Sequence, residues 1–126
     1  MKGLEYLGDR EARVMQLQDG TKERFVTQLQ MARRGALRIG SGGVKPWGAI
    51  RWNNAELRVT YLKSSRSRLF YSDSYADVLY VLHVIVTRSA PEGKEHLKED
   101  RTTIEQRGKA LLQSRGDPRT NRGRSV

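Results

Sequence analysis

The chain has 126 residues, no cysteine and two histidines, and carries 24 Lys and Arg against 14 Asp and Glu, a formal net charge of +10. That length suits one domain. The composition excludes a disulfide framework and a thiolate metal site, and no apolar run approaches the ~20 residues of a membrane span.

In chain order, residues 4–7 form a short candidate strand. Asp9 is placed to cap a first helix running to about Gln18, with Ala12, Met15 and Val14 as its inward positions. The Asp19-Gly20 pair breaks that helix, and Asp19 or Thr21 caps a second, whose Phe25, Val26, Leu29 and Ala32 share one face. Arg33 and Arg34 sit in its last turn, where the helix dipole favours cations, and Gly35 suits the position after the cap. A break this short predicts an antiparallel helical hairpin. The stretch Gly40-Ser41-Gly42-Gly43 reads as a connector, because no Gly-Lys-Ser/Thr follows at phosphate-loop spacing.

From Trp47 the period becomes two. Residues 47–52 and 55–62 are predicted strands joined by Asn53-Asn54, since Asn tolerates the positive φ of a tight hairpin. Leu57, Val59 and Tyr61 alternate with Glu56, Arg58 and Thr60. A short strand is expected over 68–72, and the run 78–86, apolar at nearly every position, predicts the central strand of the sheet. Pro91 closes the strand region. A helix follows over 93–113, with a thin line of Leu97, Ile104 and Leu111, and Gly108 marks a kink or a close approach. Residues 114–126, poor in apolar side chains and rich in Arg, are expected to be a basic disordered tail. The reading is therefore one α+β domain over 1–113: an N-terminal helical hairpin on a twisted antiparallel sheet of about four strands, with a C-terminal helix at one edge.

Charge is unevenly spread. Residues 45–88 hold seven basic and three acidic groups, whereas 89–113 balance at five and five. The strand region is thus cationic, which points to a polyanion, because each phosphate neutralised by Lys or Arg releases condensed counterions. A basic surface that only maintains solubility is the plainer account.

Three local patterns add a family resemblance. Glu56-Leu57-Arg58-Val59, Arg68-Leu69-Phe70-Tyr71, and Tyr80-Val81-Leu82-His83-Val84-Ile85 with Arg88 and Pro91 after it resemble successive strands of RelE/ParE-superfamily toxins, in particular the phage-derived HigB-like branch. The opening Leu4-Glu5-Tyr6-Leu7-Gly8 is similar too, and the resemblance spans about residues 2–112. The chain departs from the branch's pattern at Ile85, where an aromatic is usual, and at Thr87, where a lysine is usual.

The resemblance implies the toxin of a type II toxin–antitoxin system, a ribosome-dependent messenger-RNA endoribonuclease (an mRNA interferase) that causes growth arrest. It would use neither a metal nor another cofactor. Its partners would be messenger RNA, the ribosome and a cognate antitoxin, usually a small helix-turn-helix protein; no membrane is involved and the location is cytoplasmic. In that chemistry a 2′-hydroxyl attacks the adjacent phosphate, which requires a base, an acid and cations on the phosphate.

Arg58, Arg68 and Arg88 are the candidate phosphate-holding cations, since a guanidinium stays charged and meets phosphate oxygens as a fork. Each has an ordinary alternative as a solvated strand charge. His83 is either the proton-transfer group or a satisfied core histidine. Tyr71 either meets a base or belongs to the core. Lys45, Arg51, Lys63 and Arg66 are candidate RNA contacts, with the two lysines also able to act as a base if desolvated. Two other functions suit the same pattern: a ParE-like inhibitor of DNA gyrase, or a non-enzymatic, decayed nucleic-acid binder.

Overall fold

The structure, a computed structural model, describes residues 1–18, 20–64, 66–86 and 93–121, with backbone alone over 93–97 and 120–121. The elements are β1 (Gly3–Tyr6), α1 (Arg10–Met15), α2 (Thr21–Arg33), β2 (Val44–Trp52), β3 (Ala55–Ser64), β4 (Ser67–Ser72), β5 (Val78–Val86), α3 (Gly93–Arg115) and α4 (Pro118–Asn121).

The class is α+β, but the sheet is larger than expected and mixed. Five strands lie in the order β1-β5-β4-β3-β2. β1 runs parallel to β5, from Gly3 opposite Val78 to Tyr6 opposite Val81, and the other pairs are antiparallel. Two helices between β1 and the rest of the sheet supply the crossover that a parallel pair requires. Asn53 and Asn54, at φ 50° and 69°, form the two-residue turn joining β2 to β3.

Helices cover both faces. On one, Phe25, Leu29 and Ala32 of α2 and Val14 of α1 pack on Val44, Leu62, Leu69, Tyr71, Leu79, Val81 and Val84. α1 has only six residues, so among its apolar side chains just Val14 points inward; Met15 is 58% exposed and Ala12 is also at the surface. The expected antiparallel hairpin is not matched: a six-residue helix and a thirteen-residue one each rest on the sheet. α2 begins after Gly20, at φ 77°, while Asp19 lies outside the described residues. It ends as expected at Gly35, with Gly35 N–H donating to Ala32 O and Ala36 N–H to Met31 O.

On the other face, Ile104, Leu111 and Leu112 of α3 pack on Ile50, Leu57, Val59, Phe70, Tyr80, Leu82 and Ile85. α3 therefore crosses the sheet and does not sit at its edge. Gly108 permits this: a Cβ there would stand 2.2 Å from Ile50 Cδ1.

The expected disorder after 113 does not hold for residues 114–121. Arg115 donates to Tyr80 Oη and to both oxygens of Asp77, and stands 4.3 Å from the Tyr75 ring centroid. The Tyr75 hydroxyl donates to Gly116 O at 2.7 Å, and Arg119 reaches Asn54 O. Lean in apolar content, the segment is held instead by guanidinium forks, which composition alone does not reveal.

Candidate nucleic-acid interface

Pairing registers decide which side chains meet. Lys45, Tyr61, Phe70 and His83 form one row across β2, β3, β4 and β5; Lys63, Arg68 and Ile85 form the next. Phe70 and Ile85 belong to the α3-side core, so both rows face α3. The Arg68 guanidinium lies 5.8 Å from the Tyr61 ring centroid, and Arg101 of α3 lies 5.4 Å from that of Trp47. Among the described residues, Lys45, Lys63, Arg68 and Arg101 have no carboxylate partner. Arg66 stands at the surface in the turn joining the two strands that carry Lys63 and Arg68. The result is a cationic shelf with two half-buried aromatic rings.

Other candidates lie elsewhere. Arg58 shares the opposite face of β3 with Thr60 and Leu62, and is five residues, roughly 17 Å of strand, from Lys63. Arg58 and Arg68 therefore cannot hold one phosphate, contrary to their expected convergence. Tyr71 is 3% exposed in the α2-side core; burial, with Asp73 nearby, pushes its phenol well above the ordinary value of 10.0. Arg51 stands near the β2–β3 turn, 3.1 Å from Glu56, and lines a cavity of about 340 Å³ with Asn54, Ala55, Glu56 and Arg119. The cations there are already paired, Arg119 with Asp117 at 2.9 Å. Arg88 lies outside the described residues.

His83 owes its place to a bulge. Phe70 pairs with His83 but Tyr71 pairs with Val81, so Leu82 is an extra residue in β5. Strict alternation from Leu79 and Val81 would put His83 on the α2 side; the bulge turns it toward α3. β1 stops opposite Val81, so the chain can fold past the strand end and bring Arg10 to the imidazole. Arg10 Nη1 donates to His83 Nδ1 at 3.1 Å, and His83 Nε2 lies 2.7 Å from Asp100 Oδ1. A guanidinium only donates, so Nδ1 accepts and Nε2–H donates to the carboxylate.

The neutral ring thus bridges two charges, and both its nitrogens are used. Burial holds His83 below the ordinary 6.5, with Asp100 pulling upward and Arg10 adding to the fall. Arg10 is itself 6% exposed, its Nη2 is 2.5 Å from Asp9 Oδ1, and its Nε has no partner. The carbonyl of the bulged Leu82 accepts from Arg107 Nη1 at 2.6 Å.

Sequence reasoning missed Arg10, Asp100, Arg101 and Arg107. Their only signal was an arginine just after a predicted cap and a charged face on the last helix, which any solvated helix shares. Among the described residues no three His, Cys, Asp or Glu side chains come together as metal ligands, and no helix is long and apolar enough to cross a membrane. No family model, curated protein or solved structure matches the chain. The three sequence patterns that prompted the toxin expectation fall on the adjacent strands β3, β4 and β5.

Proposed function

We propose that this chain is the toxin of a type II toxin–antitoxin pair, resembling the HigB-like branch of the RelE/ParE superfamily, and that it cleaves messenger RNA on the ribosome through the shelf beneath α3. One observation carries this reading: Lys45, Lys63 and Arg68 come from three adjacent strands onto one face beside Tyr61 and Trp47, without carboxylate partners among the described residues. Cations left unpaired beside aromatic rings suit a phosphodiester and its bases.

Arg68 is the fork for the phosphate, and its charge stabilises the extra negative charge that develops as the 2′ oxygen attacks. Lys45 and Lys63, both exposed, are charged contacts for the neighbouring phosphates, and no described residue of the shelf is assigned the removal of the 2′ proton. His83 acts as a positioning residue that ties β5 to α1 and α3. Arg58 and Tyr71 have no part on this face. Arg88, three residues beyond Ile85, is assigned no contact.

The test is induction of the chain alone, followed by primer extension on messenger RNA from those cells. Growth arrest with cuts inside translated frames, both relieved by a co-expressed helix-turn-helix antitoxin, is the expected result. Normal growth together with uncut messenger RNA on programmed ribosomes overturns the enzyme. A second reading, a non-enzymatic binder using the same shelf, draws on His83, whose two nitrogens are taken. It expects RNA binding with no cleavage.

A further inference from the structure

We infer that Trp47 and Tyr61 form a two-base stacking platform, with Lys45 holding the phosphate between the bases, so that the shelf accepts an unpaired strand and rejects a duplex. This rests on the RNA-directed reading above and specifies its substrate.

The platform is built by a second bulge. Pro46 pairs with Thr60 but Gly48 pairs with Val59, which leaves Trp47 as the extra residue in β2. Gly48, at φ 149°, supplies the backbone conformation and has no side chain to crowd the indole. Trp47 and Tyr61 are both packed against the α3-side core yet only partly buried, so part of each ring stays exposed. Tyr61 lies directly opposite Lys45, and Trp47 is diagonal to it across β2 and β3.

A base within a duplex has both faces covered by its stacked neighbours, so only an unpaired base can lie on either ring. Lys45, opposite Tyr61 and two residues before Trp47, is the cation nearest both rings in the strand register.

A guanidinium lies near each ring, Arg68 at Tyr61 and Arg101 at Trp47. Both are readily displaced. A cation–π contact at a solvent-accessible site is weaker than a base stacked on an aromatic ring. A guanidinium that moves aside also remains within reach of the incoming backbone.

The experiment uses the full chain with Trp52→Phe, which leaves Trp47 as the single indole. It is titrated with a short unstructured oligoribonucleotide and with the same sequence annealed to its complement. Saturable change in Trp47 emission with the single strand and a much weaker response to the duplex are expected. Trp47→Ala and Tyr61→Ala should each weaken single-strand binding by roughly 5- to 150-fold, while Trp47→Phe and Tyr61→Phe keep most of it. Circular dichroism identifies an alanine variant that has lost its fold; the aromatic replacements and the emission change then decide. Strong RNA binding with unchanged Trp47 emission, or equal affinity for duplex, overturns the platform and leaves the RNA reading intact. Absence of any RNA binding, with no growth arrest on induction, overturns both.

Discussion

Replacing His83 separates a structural bridge from a catalyst. His83→Ala removes two hydrogen bonds, each to a charged partner, at 3.1 Å from Arg10 and 2.7 Å to Asp100. Bonds of this type contribute ~1.5–3 kcal/mol each. Arg10 is 6% exposed and would keep only Asp9, so its loss counts nearly in full. The Asp100 side chain is 20% exposed and regains water, so its loss counts in part. The expected destabilisation is about 3–4 kcal/mol, a large fraction of the ~5–15 kcal/mol typical of a small domain. Asp100→Asn keeps an oxygen acceptor for Nε2–H and should cost about 1 kcal/mol. Urea unfolding at pH 7.5 measures both. If His83→Ala stays within about 1 kcal/mol of the parent while messenger-RNA cleavage disappears, the bridge argument is wrong and the imidazole belongs to the chemistry.

The same bridge sets a pH dependence. Burial holds folded His83 below 6.5, so its contribution to stability is complete above 6.5 and is lost as pH falls through the folded value. Urea midpoints should fall between pH 7.5 and 5.5 in the parent and change less in His83→Gln. Lys45→Ala, Lys63→Ala and Arg68→Ala should each weaken RNA binding and flatten its log–log salt slope by about 0.7, whereas Arg58→Ala, on the other face, should leave the slope unchanged; anisotropy across a salt series decides. Gly108→Ala should destabilise by about 1–2 kcal/mol despite alanine's higher helix propensity, because its Cβ meets Ile50, and adding Ile50→Val should recover part of the loss in thermal melts. Truncation after Gln113 removes the Arg115 fork on Asp77 and the Tyr75–Gly116 bond, so the melting temperature should drop by several degrees; an unchanged melt would return this segment to the status of a tail.

Where local chemistry dictated geometry, the fold was legible. The Asn53-Asn54 turn, the Gly35 helix end and β5 over 78–86 all follow from side chains whose backbone preferences are strong. The side of the sheet taken by His83 was not legible. Val81, Leu82, Val84 and Ile85 are apolar on both faces, so nothing in the pattern marks an inserted residue, and one extra residue reverses every later assignment. The convergence expected of Arg58 and Arg68 failed for a related reason. The alternation within β3 says nothing of its pairing, and β3 and β4 pair so that Arg68 sits beside Lys63, not near Arg58. Of the site, the lysines and Arg68 were visible as cationic strand residues; the partners that fix His83 lie 73 and 17 residues away and leave no local trace.

β2 ends the sheet on its outer side, a position where an unpaired row of amides invites strand addition from another molecule. Here Pro46 offers no donor, the irregularity at Trp47 breaks the spacing of the rest, and Lys45 and Arg51 add like charge toward any incoming copy. The same distortion that sets Trp47 out of register thus makes this border a poor template for cross-β growth, so placement of the ring and resistance to aggregation come from one feature.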